Sequence, residues 1–154
     1  EIGLGIPAEP LFRSYRLNDF FQTLFGCLSS MYEQGWDNFL YDNGAYTYFG
    51  LILLIVPSII AGIFYFADTA RFNGRLKWFL FMLISFLLVM AITYGVGDII
   101  YQSADNLDQY DPISFMDKFG TAFIGGFWGT VWFILMSLIM MLTSTHNYKV
   151  PIKS

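Results

Sequence analysis

AYTYFGLILLIVPSIIAGIFYFA, residues 45–67, carries no charged side chain from end to end. Two later stretches read the same way: WFLFMLISFLLVMAITYGVG at 78–97 and FGTAFIGGFWGTVWFILMSLIMMLTST at 119–145. A helix needs about 20 apolar residues to cross the hydrocarbon layer, and each stretch supplies them. A core helix of a soluble protein would carry a polar stripe, and none of the three does. The chain therefore reads as an all-α integral membrane protein with three transmembrane helices. The hydrophobic fraction of 56% and mean hydropathy of +0.53 agree with this.

Around the spans the 154 residues divide into an extracytoplasmic segment (1–44), one membrane domain (45–145) and a short tail (146–154), with no room for a separate soluble enzyme domain. Glu1 in place of Met fits a removed leader or a sequence beginning inside the gene product.

Charge segregates along the chain. Residues 1–44 hold Arg13 and Arg16 against six acids, and the 98–118 link holds Lys118 against five. The 68–77 link holds Arg71, Arg75 and Lys77 against Asp68, and the tail holds Lys149 and Lys153. Lys and Arg close to span ends collect on the cytoplasmic side. The N-terminal segment and the 98–118 link are thus expected outside and the C-terminus inside, in a bacterial inner membrane. Single cysteines at Asp108 and Asn73, in a Cys27→Ser chain, test this with an impermeant thiol reagent. Asp108→Cys is expected to label in intact cells and Asn73→Cys only after permeabilisation; the reverse pattern would refute the orientation.

Before the spans, Gly3, Gly5, Pro7 and Pro10 predict an irregular segment over residues 1–16. Leu17, Phe20, Phe21, Leu24, Leu28 and Met31 then recur at helical spacing, so residues 17–34 predict an amphipathic interfacial helix. Its other face is neutral to acidic, which points to packing on the chain's own spans or on a neighbouring subunit rather than to attraction by anionic headgroups. Trp36, Phe39, Tyr41, Tyr46 and Tyr48 read as an aromatic belt at the membrane boundary.

Within the spans, Pro57 predicts a kink, with Ser58 beside it to satisfy a freed carbonyl. Asn73-Gly74 predicts a turn joining the first two spans as a hairpin. Asp98 is the one acid near a span interior; it reads as a solvated end charge, with a proton or ion role as the sharper alternative. The third span opens with small residues. Gly125 and Gly129 form GxxxG, Gly126 and Thr130 repeat the spacing, and Gly120 precedes them. Small side chains let helix backbones approach closely. Trp128 and Trp132 lie mid-span, and a buried indole N–H needs an acceptor. Gly120, Gly125, Gly126, Gly129, Thr130, Trp128 and Trp132 are thus the expected helix–helix interface, with a partner span in this chain or another copy.

The chemistry of known sites is missing. No nucleophile–base pair or phosphate loop stands out. Cys27 and His146 are the single residues of their kinds, which excludes an intrachain disulfide and a haem held by two of this chain's imidazoles. Asp105, Asp108 and Asp111 fail the EF-hand pattern, because Tyr110 and Met116 stand where Gly and Glu are required. No catalytic residue, metal site or cofactor is expected, bound lipid aside.

The leading expectation is a non-catalytic anchor or scaffold subunit of a larger membrane assembly. Its partners would be membrane lipids, other subunits and further copies of itself, without nucleic acid. The span count and N-out, C-in topology resemble those of three-span phage holins, which implies a small oligomeric pore as the alternative. An accessory subunit of a bioenergetic complex is the third reading.

Overall fold

The computed structural model describes residues 9–66, 75–104 and 113–143. Within them the chain is all helical: α1 (Glu9–Gly26), a single 3-10 turn (Ser29–Met31), α2 (Gln34–Asp42), α3 (Ala45–Phe66), α4 (Arg75–Ser103) and α5 (Phe115–Thr143). The last three are long and apolar enough to cross a membrane, so the protein is an all-α, multi-pass membrane protein. The Asn73-Gly74 turn, the Asp105–Asp111 run and the His146 tail lie outside the described residues.

The spans follow the apolar runs but overshoot two of them, α4 at both ends and α5 at its start. Trp78–Gly97 is the apolar stretch of α4, whereas the helix runs from Arg75 to Ser103. At about 1.5 Å per residue, the 29 residues of α4 or α5 extend well beyond a hydrocarbon core of about 30 Å. The excess of α4 after Gly97 and the first turn of α5 stand together at one end of the bundle. There α1, the 3-10 turn and α2 pack over them as a cap.

The cap departs from the sequence expectation. Its first helix starts at Glu9, not Leu17. Pro10 falls in the first turn, where a missing N–H costs no helical hydrogen bond and the fixed φ suits the helix. The helix stops at Gly26 instead of Gln34; Leu28 and Met31 continue in turns, with N–H bonds to Phe25 and Leu28 carbonyls. Glu33, in extended geometry, then begins α2. Gly44, at φ +65°, takes the left-handed conformation that swings α2 directly into α3.

The buried face of α1 is also rotated from the one the periodicity drew. Phe21 is buried and Leu24 and Leu28 half-buried, but Leu17, Phe20 and Met31 are exposed. Asn18 and Phe25 take the inner positions instead: the Asn18 amide donates to the Tyr41 carbonyl, and the Phe25 ring packs on Tyr46 and Phe49.

Two apolar clusters result. The larger lies at the cap end and gathers Phe21, Phe25, Trp36, Phe39, Leu40, Tyr46, Phe49, Leu53 and Ile124. The smaller, deeper one gathers Ile60, Ala61 and Phe133, with Trp78, Phe81 and Met136 against it. This distribution is physically reasonable: apolar burial is driven only where the alternative is water, and helices already in lipid must rely on close packing. Trp36, Phe39 and Tyr46 therefore belong to the protein interior rather than to a lipid-facing belt; Tyr48 alone of that aromatic group is largely exposed.

Candidate functional site

The cap is latched to the span bundle by one short polar chain that begins at the start of α5. Ser114-Phe115-Met116-Asp117 is a capping box: the Asp117 carboxylate accepts the Ser114 N–H at 2.9 Å and Ser114 Oγ accepts the Met116 N–H at 3.2 Å. The second oxygen of Asp117 reaches across to the cap and accepts the Glu33 N–H at 2.9 Å. One carboxylate, only 4% exposed, thus satisfies orphan donors at the N-terminal ends of both α5 and α2. One turn on, Thr121 donates to the Asp117 carbonyl and accepts the Trp36 indole N–H at 2.8 Å. Between these two contacts sits Gly120, packed directly on the Met31 carbonyl.

A second network ties the cap together internally. Asp37 accepts from Gln22 of α1 at 3.0 Å and from the Tyr46 hydroxyl of α3. Since Tyr46 gives its proton to Asp37, the Tyr32 hydroxyl, 3.5 Å away, is the donor toward Tyr46. Burial pushes the Tyr32 phenol above its ordinary range, which keeps it a donor at physiological pH. Asn18 donates to the Tyr41 carbonyl, and the Tyr41 hydroxyl donates to Asp19 at 2.6 Å.

Asp98 sits at the end of the α4 apolar stretch and pairs with Lys118 of α5 at 2.6 Å, while the Lys118 ammonium lies 4.0 Å from the centre of the Tyr101 ring. Gln102 also donates to Asp98. Asp98 is therefore engaged in an ion pair that joins two spans at the cap level.

The small residues of α5 meet a matching stripe on α4. The buried residues of α4 are Ser85, Val89, Thr93 and Gly97, each four positions from the next. A Cβ on Gly125 would lie 3.0 Å from Thr93, one on Gly129 2.9 Å from Val89, and one on Gly126 3.0 Å from Phe86. Thr130 turns its hydroxyl to the Gly126 carbonyl of its own helix. The ladder in this structure thus faces a span of the same chain, and its first member, Gly120, faces the cap.

The two mid-span tryptophans separate. Trp132 donates to Ser58 Oγ at 2.9 Å and to the Leu54 carbonyl at 3.1 Å, which Ser58 also approaches at 2.5 Å. The contact falls next to Leu53, whose carbonyl Pro57 leaves without its helical donor. Trp128, half-buried, has no acceptor for its N–H among the described residues.

Two concave places are open grooves. One, about 580 Å³, runs between α4 and α5 and is lined by Leu87, Met90, Ala91, Tyr94, Phe115 and Phe119. Another, of about 460 Å³, lies beside Gln22, Cys27 and Asp37. Among the described residues, no three His, Cys, Asp or Glu side chains come together as metal ligands. The carboxylates of Asp37, Asp98 and Asp117, in separate networks, are each held by donors of this chain.

Sequence reasoning placed Trp36 in a membrane belt and gave Phe25 and Asp117 no role. For Asp117 a signal existed in the S-x-x-D spacing of a capping box. For Trp36 none did, since its acceptor is 85 positions away. No protein-family model matches the chain, and no curated protein or solved structure is significantly similar to it.

Proposed function

We propose that this chain is a non-catalytic, membrane-embedded subunit that serves as an anchor or scaffold in a larger assembly of a bacterial cytoplasmic membrane, with the cap on the outer side. The observation that carries the reading is where the polar groups of the spans point. Ser85, Thr93, Thr121 and Ser137 are buried between helices. The outward residues of α4, among them Phe79, Leu83, Leu87, Leu88 and Ile92, are apolar. A pore built from several copies would need polar groups on a surface that neighbours share, and this arrangement turns them inward. The grooves and the lightly covered α4 leave apolar surface for lipid and for partner spans, while the latched cap gives such partners a rigid platform.

Conductance across a planar bilayer separates this reading from a holin-like or ion-conducting pore. The purified, reconstituted chain is expected to pass no current. Reproducible single-channel steps, altered by Ser85→Leu or Thr93→Leu, would overturn the proposal in favour of the pore.

A further inference from the structure

Helix α1 presents three different faces rather than two. At about 100° per residue, the side chains around its axis can be followed in order through their contacts. Gln22 reaches Asp37 of α2, and the adjacent Asn18 reaches the Tyr41 carbonyl at the end of α2. Next comes Phe25, whose ring lies 5.7 Å from that of Tyr46 and 5.8 Å from that of Phe49. Then comes Phe21, whose ring covers Gly50, the residue after Phe49 and one turn along α3 from Tyr46. The progression runs from α2 down the first span. The next positions around the helix, on the side beyond Phe21, are Leu17, Leu24 and Phe20, with Phe20 61% and Leu17 46% exposed. The remaining face holds Arg16, Asp19 and Thr23, all exposed.

We infer that Leu17, Leu24 and Phe20 dip into the acyl–headgroup boundary of the leaflet on the cap side, so that α1 is a lipid-inserted flange of the bundle. The occupant of this flank is lipid because the flank is apolar and belongs to a helix packed on α3, a membrane-spanning helix whose outward residues Leu51, Ile55 and Ile59 are likewise apolar and exposed. The polar face, by contrast, is turned toward α2 and water. Interfacial helices of this kind bind through buried apolar area, assisted by basic residues where the lipid is anionic. Arg13 and Arg16 of α1 are balanced by Glu9 and Asp19, so the helix has no net charge; insertion here depends on apolar area and is indifferent to lipid charge.

Site-directed spin labelling of the full chain tests this. Nitroxides are placed singly at Leu17→Cys, Phe20→Cys and Thr23→Cys in a Cys27→Ser chain reconstituted in phosphatidylcholine vesicles. Positions 17 and 20 are expected to collide with oxygen more, and with a water-soluble nickel chelate several-fold less, than position 23. The pattern should persist when anionic phospholipid is added. Equal nickel access at all three positions would place the flank in water and overturn the inference. Because a label could disturb the site, a photoreactive side chain at Phe20, activated in native membranes, gives an independent reading. Lipid adducts support the flange; adducts to a polypeptide, another copy of this chain included, would show that a protein neighbour covers it and overturn it.

Discussion

Gly120→Ala is expected to unseat the cap, although it adds one methyl group. A Cβ at this position would overlap the Met31 carbonyl oxygen and lie 2.9 Å from its carbon. The obstacle is backbone, so no rotamer change relieves it, and α5 must move away from the 3-10 turn. Overpacking a close contact costs roughly 1–3 kcal/mol, and a clash with backbone belongs at the upper end or above. The same displacement pulls on the Asp117–Glu33 and Trp36–Thr121 hydrogen bonds, which flank Gly120. Each such bond contributes about 1 kcal/mol, and more where a charged acceptor is involved. Thermal unfolding in mild detergent measures the loss. Gly95→Ala is the matched control, because a Cβ there meets nothing within 4 Å. The ladder glycines should fall between the two, since the side chains of Thr93 and Val89 can shift in part. Equal midpoints for Gly120→Ala and Gly95→Ala would mean that the cap does not sit on α5 as described.

Trp36→Ala is expected to be the most costly truncation in the cap. The indole is 2% exposed, stacks on Phe39 at 5.3 Å and meets Tyr101 edge-on at 6.3 Å. Removing a buried aromatic side chain costs about 3–5 kcal/mol, depending on how far the site collapses. Collapse is limited here, because Gly97 on the far side has no side chain to fill the space and Thr121 is anchored to the Asp117 carbonyl. Trp36→Phe should cost far less, about 1 kcal/mol for the hydrogen bond plus a small packing loss. The comparison is Tyr48→Ala, where the ring is 57% exposed. Limited proteolysis of the cap in detergent should accelerate strongly for Trp36→Ala and little for the other two. Similar rates for Trp36→Ala and Tyr48→Ala would contradict the placement of Trp36 at the centre of the latch.

What the sequence makes legible follows from the range of each signal. The three spans are stated by unbroken apolar runs, which need no long-range information. Close packing along α5 is likewise local, since Gly125 and Gly129 fall on one face of one helix. The identity of the partner is not local: it depends on a four-residue spacing of Ser85, Val89, Thr93 and Gly97 in another helix, and Val89 among them carries no small-residue signature. The start of α1 was obscured because Pro10 reads as a helix breaker unless it is known to lie in a first turn. Phe25 and Asn18 show why periodicity fixes an apolar stripe better than a buried face. The inner positions go to Phe25 and to Asn18, whose amide donates to the Tyr41 carbonyl, and Phe20 and Leu17 stay outside. Trp36, Tyr46 and Phe39 have the composition of a membrane belt, and only the cap that folds over them makes them core. The Asp98–Lys118 pair joins residues 20 positions apart across a link, and neither residue alone announces the other.

These placements support a chain whose cap and spans are joined by its own polar contacts, with Ser85, Thr93, Thr121 and Ser137 turned inward between helices, leaving apolar outer surface for lipid and neighbours. Extraction of the chain from its native membrane in mild detergent, followed by native mass spectrometry of the intact particle, tests that account most directly. The account predicts a particle heavier than one copy, containing other polypeptides in fixed stoichiometry, from which Gly120→Ala is lost or depleted. A single copy carrying only lipid, unchanged in mass by solubilisation in still milder detergent, would contradict it.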